Sequence, residues 1–263
     1  MTPLMLLPFL LAPFIGSFLG VLIRRIPRGE TFVSGRSHCE TCNRTLGPSE
    51  MIPLLSYWLQ KGVCRHCGGK IDPLHLKVEL SAVAIPACAL LVRLVGAAFQ
   101  GVSLNEVAID PAIFFADCVL GWGLLALSWI DLDCMRLPDV LTLPLLLAGL
   151  CEAVALHGWN VTYDRILGCV AGWLLFSGVA WGYRLLRKRD GLGGGDAKLL
   201  AMGGAWLGIA PLPFVVLSAS ILGIMVAMST TLRAGRFSMT VVVPFGPSLA
   251  AAIWIARLTL TGE

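Results

Sequence analysis

Residues 3–23 read PLMLLPFLLAPFIGSFLGVLI, twenty-one positions without a charged side chain. At 1.5 Å per residue, a helix of that length matches the roughly 30 Å hydrocarbon thickness of a bilayer. The run lacks the basic start and small-residue cleavage site of a signal peptide, and it is longer than a signal core. It is therefore expected to be a retained transmembrane helix. The whole chain carries the same signal. Of its 263 residues 57% are hydrophobic and 14% charged, with a mean hydropathy of +0.81. A soluble domain has about 45–50% apolar and about 25% charged residues. This chain has too few polar side chains to cover a water-facing surface.

Further apolar runs at 78–98, 111–130, 140–157, 166–183, 197–210, 211–232 and 241–257 predict an all-α integral membrane protein with about eight transmembrane helices. The 197–210 run is short and carries Gly203, Gly204 and Gly208, and Pro211 and Pro213 break it from the next. A seven-span alternative would place Arg233 and Arg236 outside. With eight spans, the segments 24–77, 131–139, 184–198 and 233–240 share one side. They hold all but Arg93, Arg165 and Arg257 of the 20 lysines and arginines. The positive-inside rule makes that side cytoplasmic. Asp131 and Asp196 then lie at cytoplasmic helix ends. No basic stripe interleaved with aromatics occurs outside the apolar blocks, so nucleic acid is not an expected partner; the lipid bilayer is.

The one sizeable polar piece is 24–77, between the first and second helix. It is too small for much of a core and needs a staple. It reads CETC at 39–42 and CRHC at 64–67. Two C-x-x-C knuckles, each able to present two sulfurs from one tight turn, predict a structural zinc site on Cys39, Cys42, Cys64 and Cys67. Disulfides or a redox pair are the competing reading, disfavoured on a reducing cytoplasmic side. Cys88, Cys118, Cys134, Cys151 and Cys169 lie in or beside apolar runs and read as packing residues.

Ionisable groups at membrane spans each require a reason. Asp131 ends an apolar run in SWIDLDCMRLPD, and Asp196 follows three glycines in GLGGGDAKLL. Glycines allow a peptide backbone close to a carboxylate. Two facing carboxyls cannot readily both ionise, so one holds a proton while the other activates water for attack on a carbonyl. The competing reading is capping. Asp196 at a helix start could be an N-cap alone; Asp131 at a helix C-terminus is poorly explained that way. Residue physics does not choose between Asp131 and Asp133, and Asp139 is a good N-cap candidate. Lys198 reads as a charge partner. Asp117 and Glu152 read as facing a cavity or each other.

The motifs GSFLGVLIRRIP (16–27), CETC and CRHC, MIPLLSYWLQKG (51–62), IDLDCMRLPDVLTLP (130–144), GGGDAKLLAMGGAWLG (193–208) and VPFGPSLA (243–250) together resemble the type IV prepilin leader peptidases, including those of type II secretion. The resemblance implies an enzyme that cleaves the basic leader of prepilins or pseudopilins at the cytoplasmic face of the inner membrane. It then implies N-methylation of the new terminus with S-adenosylmethionine. It places the catalytic aspartates on Asp131 and Asp196 and the motif glycines on Gly193 and Gly195. It puts the zinc ligands on the four knuckle cysteines and a methyl-transfer glutamate on Glu79. It divides the chain into a first helix (1–23), a zinc domain associated with methyl transfer (24–77) and a membrane peptidase domain (78–263). Three positions depart from the pattern: Gly20 and Met51 replace asparagines, and LHLKVE at 74–79 replaces RYPLVE. They bear on methyl transfer, so a peptidase without it is the nearest alternative. A presenilin-like intramembrane protease shares the G-x-G-D logic but does not predict the cysteine module. A zinc-bearing transporter would predict paired charges deep in several spans.

Overall fold

The computed structural model describes residues 3–32, 35–102, 109–188, 193–234 and 244–260, with the side chains of 233 and 234 also left undescribed. Arg189 and Arg236, which entered the charge asymmetry, and the start of the expected 241–257 span lie outside the described residues. The described residues are all-α apart from two isolated bridges, and the chain forms two compact units that divide after Ala126.

In the first unit a 3₁₀ turn, Pro3–Leu6, leads into α1 (Leu7–Arg25). The cysteine module follows, with one short helix, α2 (Leu55–Leu59). Next come α3 (Leu74–Phe99) and α4 (Pro111–Cys134), whose last turns belong to the second unit. Helices α1 and α3 pack together, and the contact requires glycine. A Cβ on Gly16 would lie 2.6 Å from the Glu79 Cα, and one on Gly20 would lie 2.4 Å from His75 Nδ1. Trp122 Nε1 donates to the Ala82 carbonyl at 2.9 Å, satisfying an indole that hydrocarbon would leave unpaired.

The second unit holds α5 (Asp139–Glu152, continued by a π turn, Ala153–His157) and α6 (Trp159–Arg187). After them come α7 (Gly194–Leu207), α8 (Leu212–Ala234) and α9 (Gly246–Leu260). Helix α7 is its core: ten of its residues, Ala197 and Leu199 to Leu207, are buried, and α5, α6, α8 and α9 all pack on it. Along α6 a glycine seam brings backbones into contact. A Cβ on Gly168 would lie 2.5 Å from the Gly208 carbonyl carbon, and one on Gly172 would lie 2.8 Å from the Leu200 oxygen.

The expectation of eight spans is corrected here. Among the described residues six helices are long and apolar enough to cross a membrane: Pro3–Arg25, Leu74–Phe99, Pro111–Cys134, Asp139–His157, Trp159–Arg187 and Leu212–Leu232. The run read as 197–210 is a helix of 14 residues that ends before Gly208, where φ is +83°. The last is a helix of 15 residues that starts at Gly246. At 1.5 Å per residue these reach only about 21–23 Å. From Leu199 to Leu207 helix α7 is clothed in protein, so lipid thickness does not set its span.

The three cations outside the basic side are paired, Arg165 and Arg257 buried and Arg93 half-buried. Arg93 pairs with Asp117. Arg165 and Arg257 share Glu152, with Arg257 Nη2 donating to Oε1 at 2.7 Å. Arg165 also donates to the Gly149 carbonyl at 3.0 Å, and Arg257 to the Trp206 carbonyl at 3.3 Å while lying over the Trp206 ring. Trp206 in turn donates to Leu145 at 2.8 Å, so the cluster ties α5, α6, α7 and α9. Asp117 and Glu152, expected to face a cavity or each other, both meet arginine. Replacing Glu152 with alanine strands two buried guanidinium groups and should cost about 3–5 kcal/mol. The exposed Lys198–Asp139 pair should be worth less than about 1 kcal/mol. Thermal unfolding of detergent-solubilised Glu152→Ala and Asp139→Ala checks the contrast: a large fall in midpoint for the first and almost none for the second.

Candidate functional site

Asp131 lies in the last turn of α4 and is 6% exposed. A helix C-terminus disfavours an anion, but the start of α9 compensates. The Gly246 N–H, at the first position of α9, donates to Asp131 Oδ2 at 3.1 Å. A Cβ on Gly246 would lie 2.4 Å from that oxygen, so the approach requires glycine. Sequence reading quoted this residue within VPFGPSLA without giving it a role. The G-P pair that opens α9 was the available signal.

Asp196 is the third residue of α7, and the N-cap is Gly193, with no side-chain capping bond. The capping reading of Asp196 therefore does not describe this helix. Gly195 lets α7 press against Leu137, which a Cβ would meet at 3.0 Å, and a Cβ on Gly193 would sit 3.5 Å from Asp196 Oδ2. Burial, and then the negative charge of Asp131, push the Asp196 carboxyl up to about 6. The two carboxyls thus share one electrostatic environment. Among the described residues neither pairs with a lysine or arginine. Lys198 is engaged elsewhere, with Nζ 2.6 and 2.8 Å from the two Asp139 carboxylate oxygens. Asp139 itself is the first residue of α5 rather than its cap, and Asp133 is exposed. Such a pair, holding a proton between them, can activate water without a metal or an enzyme nucleophile.

The four knuckle cysteines also converge, with all four sulfurs within 4.8 Å of one another. The two knuckles are built alike. Asn43 and Gly68 donate their N–H to Cys39 and Cys64, four residues back, at 2.8 and 2.9 Å, and both adopt positive φ (55° and 68°). Return bonds, Cys39 N–H to Arg44 and Cys64 N–H to Gly69, close each turn. Gly69 is the contact between the knuckles: a Cβ there would lie 2.6 Å from Thr41 Oγ1. The Cys39 and Cys67 sulfurs stand 3.9 Å apart, near the roughly 3.8 Å edge of a tetrahedron with Zn–S bonds of about 2.3 Å. That is far beyond a disulfide bond. The N–H groups of Cys42 and Thr41 draw the Cys39 thiol down to about 6. Cys67 is pushed up to about 11: its Gly69 N–H bond acts against the shift, and desolvation and the neighbouring sulfurs drive it. A divalent cation replaces the protons these sulfurs compete for. The cluster fits a structural zinc ion on four thiolates.

Above the module lies a cavity of about 300 Å³, bounded by Ser17 and Arg24 of α1, Tyr57 of α2, and His75 and Glu79 of α3. Glu79 is buried, and its Oε2 accepts the Leu54 N–H at 2.7 Å. Leu54 holds φ +62° to make that bond, a strained conformation for a non-glycine residue. Arg24 bonds both Glu40, inside the first knuckle, and Asp72, beyond the second, tying α1 to the module.

Two family descriptions match the chain. The bacterial peptidase A24 N-terminal domain covers residues 10–93, and the type IV leader peptidase family covers 118–228. A prepilin leader peptidase/N-methyltransferase of Aeromonas salmonicida is 35% identical over 96% of this chain and 89% of its own length. One of Pseudomonas aeruginosa is 36% identical over 95% and 88%. The chain belongs to the type IV leader peptidase family. A Burkholderia pseudomallei relative of the same name is 42% identical over 82% of this chain and 64% of its own. No solved structure matches. In this leader peptidase family member the aspartates fall in or beside the region matched by the second description, and the cysteines and Glu79 in that matched by the first. Purified, reduced protein should carry about one zinc per chain. Elemental analysis checks this, and Cys64→Ser should abolish most of the metal. A metal-free, folded wild type would contradict the assignment.

Proposed function

We propose that this chain cleaves the leader of prepilins or pseudopilins by water activation on Asp131 and Asp196, and then methylates the new N-terminus. The observation that carries the reading is a carboxylate pair, Asp131 buried and Asp196 half-buried, that among the described residues meets no lysine or arginine and is framed by Gly193, Gly195 and Gly246. Family membership supplies the substrate class, and the curated relatives are named for both activities. One carboxyl removes a proton from water while the other donates a hydrogen bond to the scissile carbonyl. The Gly246 N–H holds Asp131 in place, and Gly194, where a Cβ would meet nothing within 4 Å, leaves room for an extended peptide. The basic side of the chain is taken as cytoplasmic, which puts both aspartates on that face.

Methyl transfer is assigned to the first unit. The 24–77 segment acts as its zinc-stapled domain, and zinc keeps the cavity in shape. Glu79 lies in the wall of that cavity, placed to hold a cationic centre or take the amine proton. S-adenosylmethionine, when bound there, supplies the methyl group. The alternative, cleavage without methylation, draws on the departures: His75 and Met51 line this cavity, and Gly20 lies under His75.

Cleavage of a prepilin in membranes tests the dyad. Asp131→Ala and Asp196→Ala should each lose at least about a thousandfold in rate, as for members of a catalytic unit, while Asp133→Ala stays near wild type. Full cleavage by either dyad variant would sink the assignment. Gly246→Ala should slow cleavage by about tenfold or more through displacement of Asp131. Transfer of labelled methyl to the product should be lost in Glu79→Gln with cleavage intact; wild-type cleavage without any label would favour the peptidase-only alternative.

A further inference from the structure

Helix α2 is inside out. In the segment 52–60 the residues facing the cavity are polar, namely Ser56, Tyr57 and Gln60, and Gln60 is 7% exposed. The outward side carries Ile52, Leu55, Trp58 and Leu59, between 44% and 70% exposed. Leu55, Trp58 and Leu59, at spacings of three and one, share one face of α2, and Ile52 lies exposed in the turn that precedes it. A water-facing module should show the reverse pattern, and a contiguous exposed apolar face marks a contact with something apolar.

The charge around it narrows the occupant. Residues 51–71 contain no aspartate or glutamate, but they include Lys61, Arg65 and Lys70, all exposed. An apolar face with a tryptophan and a basic rim suits the headgroup boundary of an anionic leaflet. Depth agrees. Leu54, at the base of α2, donates its N–H to Glu79, the sixth residue of α3. That bond holds α2 level with a point about 7–8 Å inside the helix start. Helix α3 has 26 residues, about 39 Å, some 9 Å more than the hydrocarbon layer. Glu79 and α2 therefore stand near the edge of that layer.

We infer that Ile52, Leu55, Trp58 and Leu59 insert into the anionic lipid surface and hold the cysteine module flat against the membrane. The insertion itself rests only on the membrane assignment. Its use rests on the proposed methyl transfer: it keeps the cavity at the level where the new N-terminus of a membrane-held pilin emerges.

The test uses the full chain reconstituted into phosphatidylglycerol–phosphatidylcholine vesicles with brominated acyl chains. The fluorescence of Trp58 is isolated as the difference between wild type and Trp58→Phe. Shallow bromines should quench that component strongly and aqueous iodide weakly. Leu59→Glu should weaken the bromine quenching severalfold while zinc content and leader cleavage stay at wild-type level. Iodide quenching without bromolipid quenching would overturn the inference. So would a photo-crosslinker at position 58 that captures pilin or a second copy of this chain rather than lipid. Quenching is read without any methylation, so failure of methyl transfer and failure of lipid contact are separate results.

Discussion

A charge inside hydrocarbon must find a partner or serve a purpose, and this cost organises the molecule. Three arginines lie away from the basic side, and each pairs with a buried carboxylate: Arg93 with Asp117, Arg165 and Arg257 with Glu152. Asp131 and Asp196 follow the opposite rule. The negative charge of Asp131 acts on the Asp196 carboxyl, and the support for Asp131 comes from a backbone N–H at the start of α9. Stability is thus built from opposite charges at one set of positions, while a like-charged pair is set aside at another.

The same cluster that neutralises Arg257 also fixes the helices that carry the site. Arg257 lies eleven residues along α9 from Gly246, and Trp206 lies ten residues along α7 from Asp196. Arg257 bonds the Trp206 carbonyl as well as Glu152, so the two helices are pinned at similar distances, about 15–17 Å, from the aspartates. Glycine seams do the rest, letting α6 lie against the backbone of α7.

Much of this was legible in the sequence, and the omissions have physical causes. Long apolar runs and the C-x-x-C spacing depend on local composition, so the membrane class and the four-sulfur cluster could be read directly. The span count could not. Whether a 14-residue apolar run faces lipid or protein depends on its neighbours, and α7 is wrapped on all sides. Capping stays open at Asp196 in the sequence, because only the folded helix shows that Gly193, three residues earlier, takes that position. Asp131 and Asp133 differ by two residues and no pattern separates them; Asp131 is buried, with the Gly246 N–H of α9 against it, and Asp133 is exposed. The buried ion pairs join residues up to 105 apart, and no spacing rule reaches that far.

The central claim is that Asp131 and Asp196 act as one electrostatic unit. Infrared titration of the protonated-carboxyl band, in membranes and with Asp→Asn variants for assignment, tests it most directly. The account predicts an Asp196 band that titrates near about 6 in the wild type and moves to lower pH in Asp131→Asn, because the neighbouring negative charge is gone. An Asp196 titration unchanged in Asp131→Asn, or shifted instead by Asp133→Asn, would contradict it.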